Sequence, residues 1–157
     1  MRAIDLAKNE LALHNYSCVV VHEDSVIMTS FENGVKPLIN YYETKSRNFS
    51  NAVLADKVIG RAVAFLVVLC GITSVYAEVM SIDAKRILEE YNIYVEYDHL
   101  VPFIANRKRD GRCPMEELSE GVKQPIEMYH RIKNWLADMS SKQSSNPSAF
   151  PAWFPRR

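Results

Sequence analysis

The sequence predicts a single α/β domain, and three observations carry that reading. Two short β-branched runs, Cys18–His22 and Ser25–Thr29, are separated only by Glu23 and Asp24, the spacing of an antiparallel hairpin. A strand, a helix and a second strand follow one another between Val75 and Tyr97. That spacing makes a right-handed βαβ unit with parallel strands. Between hairpin and unit lies Ala62–Cys70, nine consecutive apolar residues that belong inside a core.

Taken in order, residues 2 to 14 read as a helix with Ile4, Leu6, Ala7, Leu11 and Leu13 at helical spacing, ended by His14–Asn15. The hairpin follows. Gly34 breaks the chain and Pro37 starts a helix through Leu38, Ile39, Tyr41 and Tyr42. Residues 44 to 51 are polar and read as a connection. The next helix is expected over 52–70, polar in its first half (Asp56, Lys57, Arg61), apolar in its second, and stopped by Gly71. Val75–Val79 is a strand. Ser81 caps a helix with Ile82, Ala84, Ile87 and Leu88 inward, and Ile93–Tyr97 is the second strand. A short helix opens at Cys113 and a longer one spans about 125–138, with Ile126, Met128, Tyr129, Ile132, Trp135 and Leu136 on its apolar face. Residues 1–138 form the domain. Residues 139–157 form a flexible Ser/Pro/aromatic tail whose Phe150, Trp153 and Phe154 can dock on a partner or on the domain.

Nineteen Lys and Arg balance nineteen Asp and Glu, so the chain has no overall charge to attract nucleic acid or a membrane surface. Its longest apolar run falls far short of the ~20 residues needed to span a bilayer. Asp5, Lys8 and Glu10 interrupt any signal-peptide core. Three widely spaced cysteines read as reduced thiols in a cytoplasmic protein. Cys18 and Cys70 belong to the core.

Charge is concentrated instead in Arg107-Lys108-Arg109-Asp110-Gly111-Arg112, which runs into Cys113-Pro114-Met115-Glu116. Cys113 stands at a helix N-cap, Pro114 at the first helical position and Glu116 where it can reach back to the cap. A helix dipole and four cations lower a thiol pKa, so Cys113 is expected to be the most reactive cysteine and a candidate nucleophile.

The chain also resembles a bacterial and archaeal family, a domain of unknown function, in the cytidine-deaminase-like superfamily. The segments that carry the resemblance run in order through residues 1 to about 120: Asn15–Val21, Gly34–Leu38, Ala55–Ala62, Val75–Ala77, Asp98–Pro102, Ile104–Arg107 and Cys113–Glu116. It implies a three-layer cytidine-deaminase-like fold, a mixed sheet carrying the N-terminal hairpin and the parallel βαβ unit. It does not imply deaminase activity. A zinc deaminase needs H-x-E at the start of the buried helix and P-C-x-x-C at the start of the next. Asp56-Lys57-Val58 and Ser81-Ile82-Asp83-Ala84 stand there instead, so no metal ligand set and no cofactor is expected.

The fold aims the buried helix's start at a cleft. With Asp56, Lys57, Gly60 and Arg61 at helical spacing, Asp56 and Lys57 are candidates for acid–base work beside Cys113, with His99 a second proton acceptor. Lys36, Gly60, Arg61, Asn106 and Arg107 are candidate ligand-binding residues, and Glu78 at a strand end can face the same cleft. The functions that follow are a metal-independent enzyme using Cys113, a non-catalytic regulatory domain, or a protein-interaction module. The first two take a small anionic or nucleotide-like ligand. Nothing in the sequence decides homo-oligomerisation.

Overall fold

A computed structural model describes residues 1–44 and 51–145, the last four by backbone alone. Helix α1 (Ala3–His14) leads into strands β1 (Cys18–His22) and β2 (Ser25–Ser30). Helix α2 (Lys36–Thr44), strand β3 (Ala52–Ile59), helix α3 (Arg61–Leu69) and strand β4 (Ile72–Ser81) follow. The order closes with α4 (Ile82–Glu90), β5 (Tyr94–Val101), α5 (Pro114–Leu118) and α6 (Pro125–Ser145). The five strands form one mixed sheet in the order β2-β1-β3-β4-β5. β1 is antiparallel to both neighbours, whereas β3, β4 and β5 are parallel.

The hairpin and the parallel βαβ unit stand as the sequence predicts, with Glu23 at φ 56° turning the chain between β1 and β2. The helix expected over 52–70 does not. Residues 52–59 form the central strand, and only Arg61–Leu69 is helical. β3 is covered on both faces through Ala55 and so carries a continuous apolar run instead of alternation. It merges with the run of α3 and imitates one long helix. Gly60 is the joint. The fold therefore holds two consecutive βαβ units, β3-α3-β4 and β4-α4-β5, and β3 separates the hairpin from β4.

Side chains alternate across the sheet into two clusters. On one face Val19, Val21, Val53, Ala55 and Tyr76 pack against Ile4, Ala7 and Leu11 of α1. On the other, Cys18, Val20, Leu54, Val75 and Ala77 pack under α2, α3, α4 and α6. Those are the three layers. Helix α3, with six successive buried residues from Ala62 to Val67, is the centre of the larger cluster. At ~1.5–3 kcal/mol per large apolar side chain it dominates the core. Gly71 ends that helix at φ 74°, a conformation that favours glycine.

Met128 and Ile132 seat α6 on the core, whereas Leu13, Ile82 and Ile126, read on apolar helix faces, stand at or beside helix ends and are exposed. The helix continues to Ser145, beyond the boundary set at residue 138. Most of the polar connection (45–50) and the aromatic end of the tail lie outside the described residues. Among the described residues no helix is long and apolar enough to cross a membrane.

Candidate functional site

Strands β3 and β4 end on the same side of the sheet, where the chain turns into α3 and α4. In open α/β sheets that edge is where ligands bind. A cavity of about 280 Å³ lies there, under the start of α2, the start of α3, the 104–116 segment and Trp135 and Leu136 of α6. Its walls are mostly apolar, with Val35, Val58, Val63, Ile104 and Met115 among them. Asp56 opens into it from the middle of the sheet.

Asp56 is 8% exposed. Its Oδ1 accepts the Val58 N–H at 3.1 Å, and among the described residues no cation forms an ion pair with it. Burial pushes its pKa up to about 7, the Val58 and Lys57 amides pull it down, and Glu78 adds a smaller upward push. A carboxyl so poised can accept or release a proton near neutrality.

Lys57, the next residue, is not in the cavity wall. Strand geometry sends successive side chains to opposite faces. Its ammonium donates to Asn15 Oδ1 at 2.6 Å, on the α1 side. The helical pairing of Asp56 with Gly60 and of Lys57 with Arg61 fails for the same reason. Arg61 is also outside the wall. Its guanidinium donates to the Ser119 carbonyl at 3.0 Å and ion-pairs Asp83 at 3.6 Å, joining the starts of α3 and α4. Lys36, Gly60, Asn106, Arg107 and Cys113 all line the cavity with Asp56. His99 and Glu78 do not. Tyr76, alternating with the cavity face, turns toward α1 and donates to Asp98 Oδ2 at 2.5 Å.

The 104–113 segment is a small hairpin. Ala105 bridges Arg112, and the Cys113 N–H donates to the Ile104 carbonyl at 2.8 Å. Glu116 fixes it to the domain. Its carboxylate is 4% exposed and accepts the Arg61 N–H at 3.2 Å and the Ile104 N–H at 3.0 Å, rather than reaching back to Cys113. The sequence offers Glu116 as a capping residue, and only the packing reveals it as the clasp between α3 and the hairpin.

Cys113 is the N-cap of α5, followed by Pro114 as expected. Its thiol, however, is pushed up rather than down. Burial is the main cause; the Met115 and Glu116 amides oppose it and the Glu116 charge adds to it. Helix α5 spans five residues, too short for much dipole, and the loop cations are exposed to screening solvent.

The match with the family model for the domain of unknown function DUF1893 runs over residues 6–136. The chain belongs to the DUF1893 family. A DUF1893 family protein from Thermotoga maritima has a similar crystal structure, with TM-score 0.77, 22% identity, and coverage of 84% of this chain and 88% of that one. Likeness to the apo dCMP deaminase of cyanophage S-TIM5 is weaker, at TM-score 0.44 and 13% identity over 60% of this chain and 93% of that one. No curated protein matches the chain.

The expectation about zinc in this DUF1893 chain needs one correction of place. The helix start after the central strand is Gly60–Arg61, not Asp56–Lys57. At the next helix start Ser81 caps α4, its Oγ accepting the Ala84 N–H at 3.1 Å. Glycine, arginine and a capping serine do not make a zinc donor set. The charge held between the two helix starts is the Arg61 guanidinium. Among the described residues no group of three or more His, Cys, Asp or Glu is placed to hold a metal ion.

Proposed function

We propose that this domain binds a small polar molecule in the cavity at the ends of β3 and β4, with Asp56 accepting a hydrogen bond from the ligand's inner end. One observation carries the reading: a buried carboxylate with no ion-pair partner among the described residues opens into an otherwise apolar cavity. A site that buries such an acceptor strongly favours ligands that bring a donor to it. Cys113 serves as wall, since burial disfavours its thiolate.

The same carboxyl supports a second reading, metal-independent acid–base catalysis, because it is poised near neutrality. Binding is common to both.

The test is native mass spectrometry of protein purified without denaturation, followed by thermal-shift assays with a panel of polar metabolites. Wild type should retain or bind a small molecule. Val58→Trp, placed in the cavity wall on the exposed end of β3, should lose it, and Asp56→Asn should weaken it. Undiminished binding by Val58→Trp overturns the reading.

A further inference from the structure

Four cations stand on one turn, and the first of them, Arg107, lines this cavity. Arg107, Lys108, Arg109 and Arg112 lie within six residues that contain a single acid, Asp110. That acid is already engaged by Asn106, whose Nδ2 donates to Asp110 Oδ1 at 2.8 Å and whose Oδ1 accepts the Asp110 N–H at 3.2 Å. None of the four cations forms an ion pair among the described residues. Arg112 lies over the Phe103 ring at 5.6 Å, and Glu116 holds the base of the hairpin on α3. Arg107 lines the cavity, as does Lys36 from α2. The two ends of the site thus differ in chemistry, an acceptor inside and cations at the rim.

We propose that the ligand is a phosphomonoester, with its donor-bearing end on Asp56 and its phosphate on Arg107 and the adjoining cations of the 104–113 hairpin. This rests on the binding reading above and adds the ligand's class to it. The Arg guanidinium matches a phosphate with two parallel hydrogen bonds, and several cations suit a dianion better than a single carboxylate. At the rim the phosphate keeps part of its hydration, so its charge need not be buried. The cavity, about 280 Å³, is sized for a ring or a sugar, and the phosphate stays at the mouth. The cations are confined to one turn of a chain with no net charge, which gives a nucleic-acid backbone no extended track.

The test is calorimetric binding of matched pairs: ribose 5-phosphate and ribose, glycerol 3-phosphate and glycerol, adenosine monophosphate and adenosine, uridine monophosphate and uridine. The proteins are wild type, Val58→Trp and the exposed double variant Arg107→Gln/Arg109→Gln, each checked by circular dichroism. At least one ester should bind wild type about tenfold or more tighter than its parent. The double variant should erase most of that preference, lowering the ester's affinity far more than the parent's. Equal binding within every pair, or a preference that survives the double variant, overturns the phosphate assignment and leaves the cavity reading standing. Failure of every compound to bind overturns both. A single-stranded oligonucleotide that outcompetes all monoesters through Arg107 assigns the rim to a polymer and overturns the small-molecule proposal.

Discussion

The Glu116 carboxylate occupies the space that a side chain at residue 60 would need. A Cβ on Gly60 would lie 3.0 Å from Glu116 Oε1 and 2.9 Å from Ile104 Cγ1. The central strand can therefore pass into α3 beside the hairpin only through a glycine. Gly60→Ala is expected to destabilise the domain by ~1–3 kcal/mol, as overpacking in a tight interior does. Glu116→Gln should cost a similar ~1–3 kcal/mol, because an amide nitrogen would face one of two backbone donors that now share the carboxylate. Urea unfolding of each variant, read from the midpoint at constant slope, checks both.

Asp56 makes stability depend on pH in the direction opposite to most carboxylates. Its folded-state pKa is raised to about 7 from an ordinary 3.8. The folded protein therefore holds this proton more tightly than the unfolded chain. Wild type should lose stability as pH rises from about 4 to about 7, and no more from this group above that. Asp56→Asn cannot ionise and should gain on wild type across the same window, by at most about 4 kcal/mol at pH 8. Parallel stability curves for the two proteins from pH 4 to 8 would show that Asp56 does not titrate there.

Lys57 should be dispensable where its neighbour is not. Its ammonium meets Asn15 on the far side of the sheet. Lys57→Ala should leave ligand-induced thermal shifts unchanged and cost no more than about 1 kcal/mol of stability, the scale of an exposed polar contact. A loss of ligand response equal to that of Asp56→Asn would place both residues in one site after all.

Cys113 should alkylate more slowly than an unstructured thiol between pH 6 and 9, because burial raises its pKa. Cys18, buried deeper and beside the Asp56 carboxyl, should be slower still. Iodoacetamide labelling followed by peptide mass spectrometry gives both rates. Labelling of Cys113 faster than a free thiol would restore the nucleophile.

The hairpin, the β4-α4-β5 unit, the Ser81 cap and the Gly71 stop rest on local signals, namely turn spacing, alternation and capping chemistry, and they stand in the structure. β3 was not readable. A strand buried on both faces has no period of two, and Ala52–Ile59 runs into the apolar α3 with one glycine between. A helix there would place Asp56 and Lys57 on one surface, whereas the strand parts them. The cations of residues 107–112 were visible in sequence; the burial that governs the Cys113 thiol and the clasp made by Glu116 arise from segments far apart in the chain.

Among the described residues helix α1 alone covers one face of the sheet, and this sets an order of assembly. Its inward residues Ile4, Ala7 and Leu11 are matched by Val19 and Val21 early in the chain, but also by Val53, Ala55 and Tyr76. A helix of twelve residues is marginal by itself in water. On a ribosome this first helix must wait, its apolar stripe uncovered, until β4 has left the exit tunnel. The earliest segment of the domain to be made is among the last to find its full set of neighbours, and the interval between is when a chaperone would meet it.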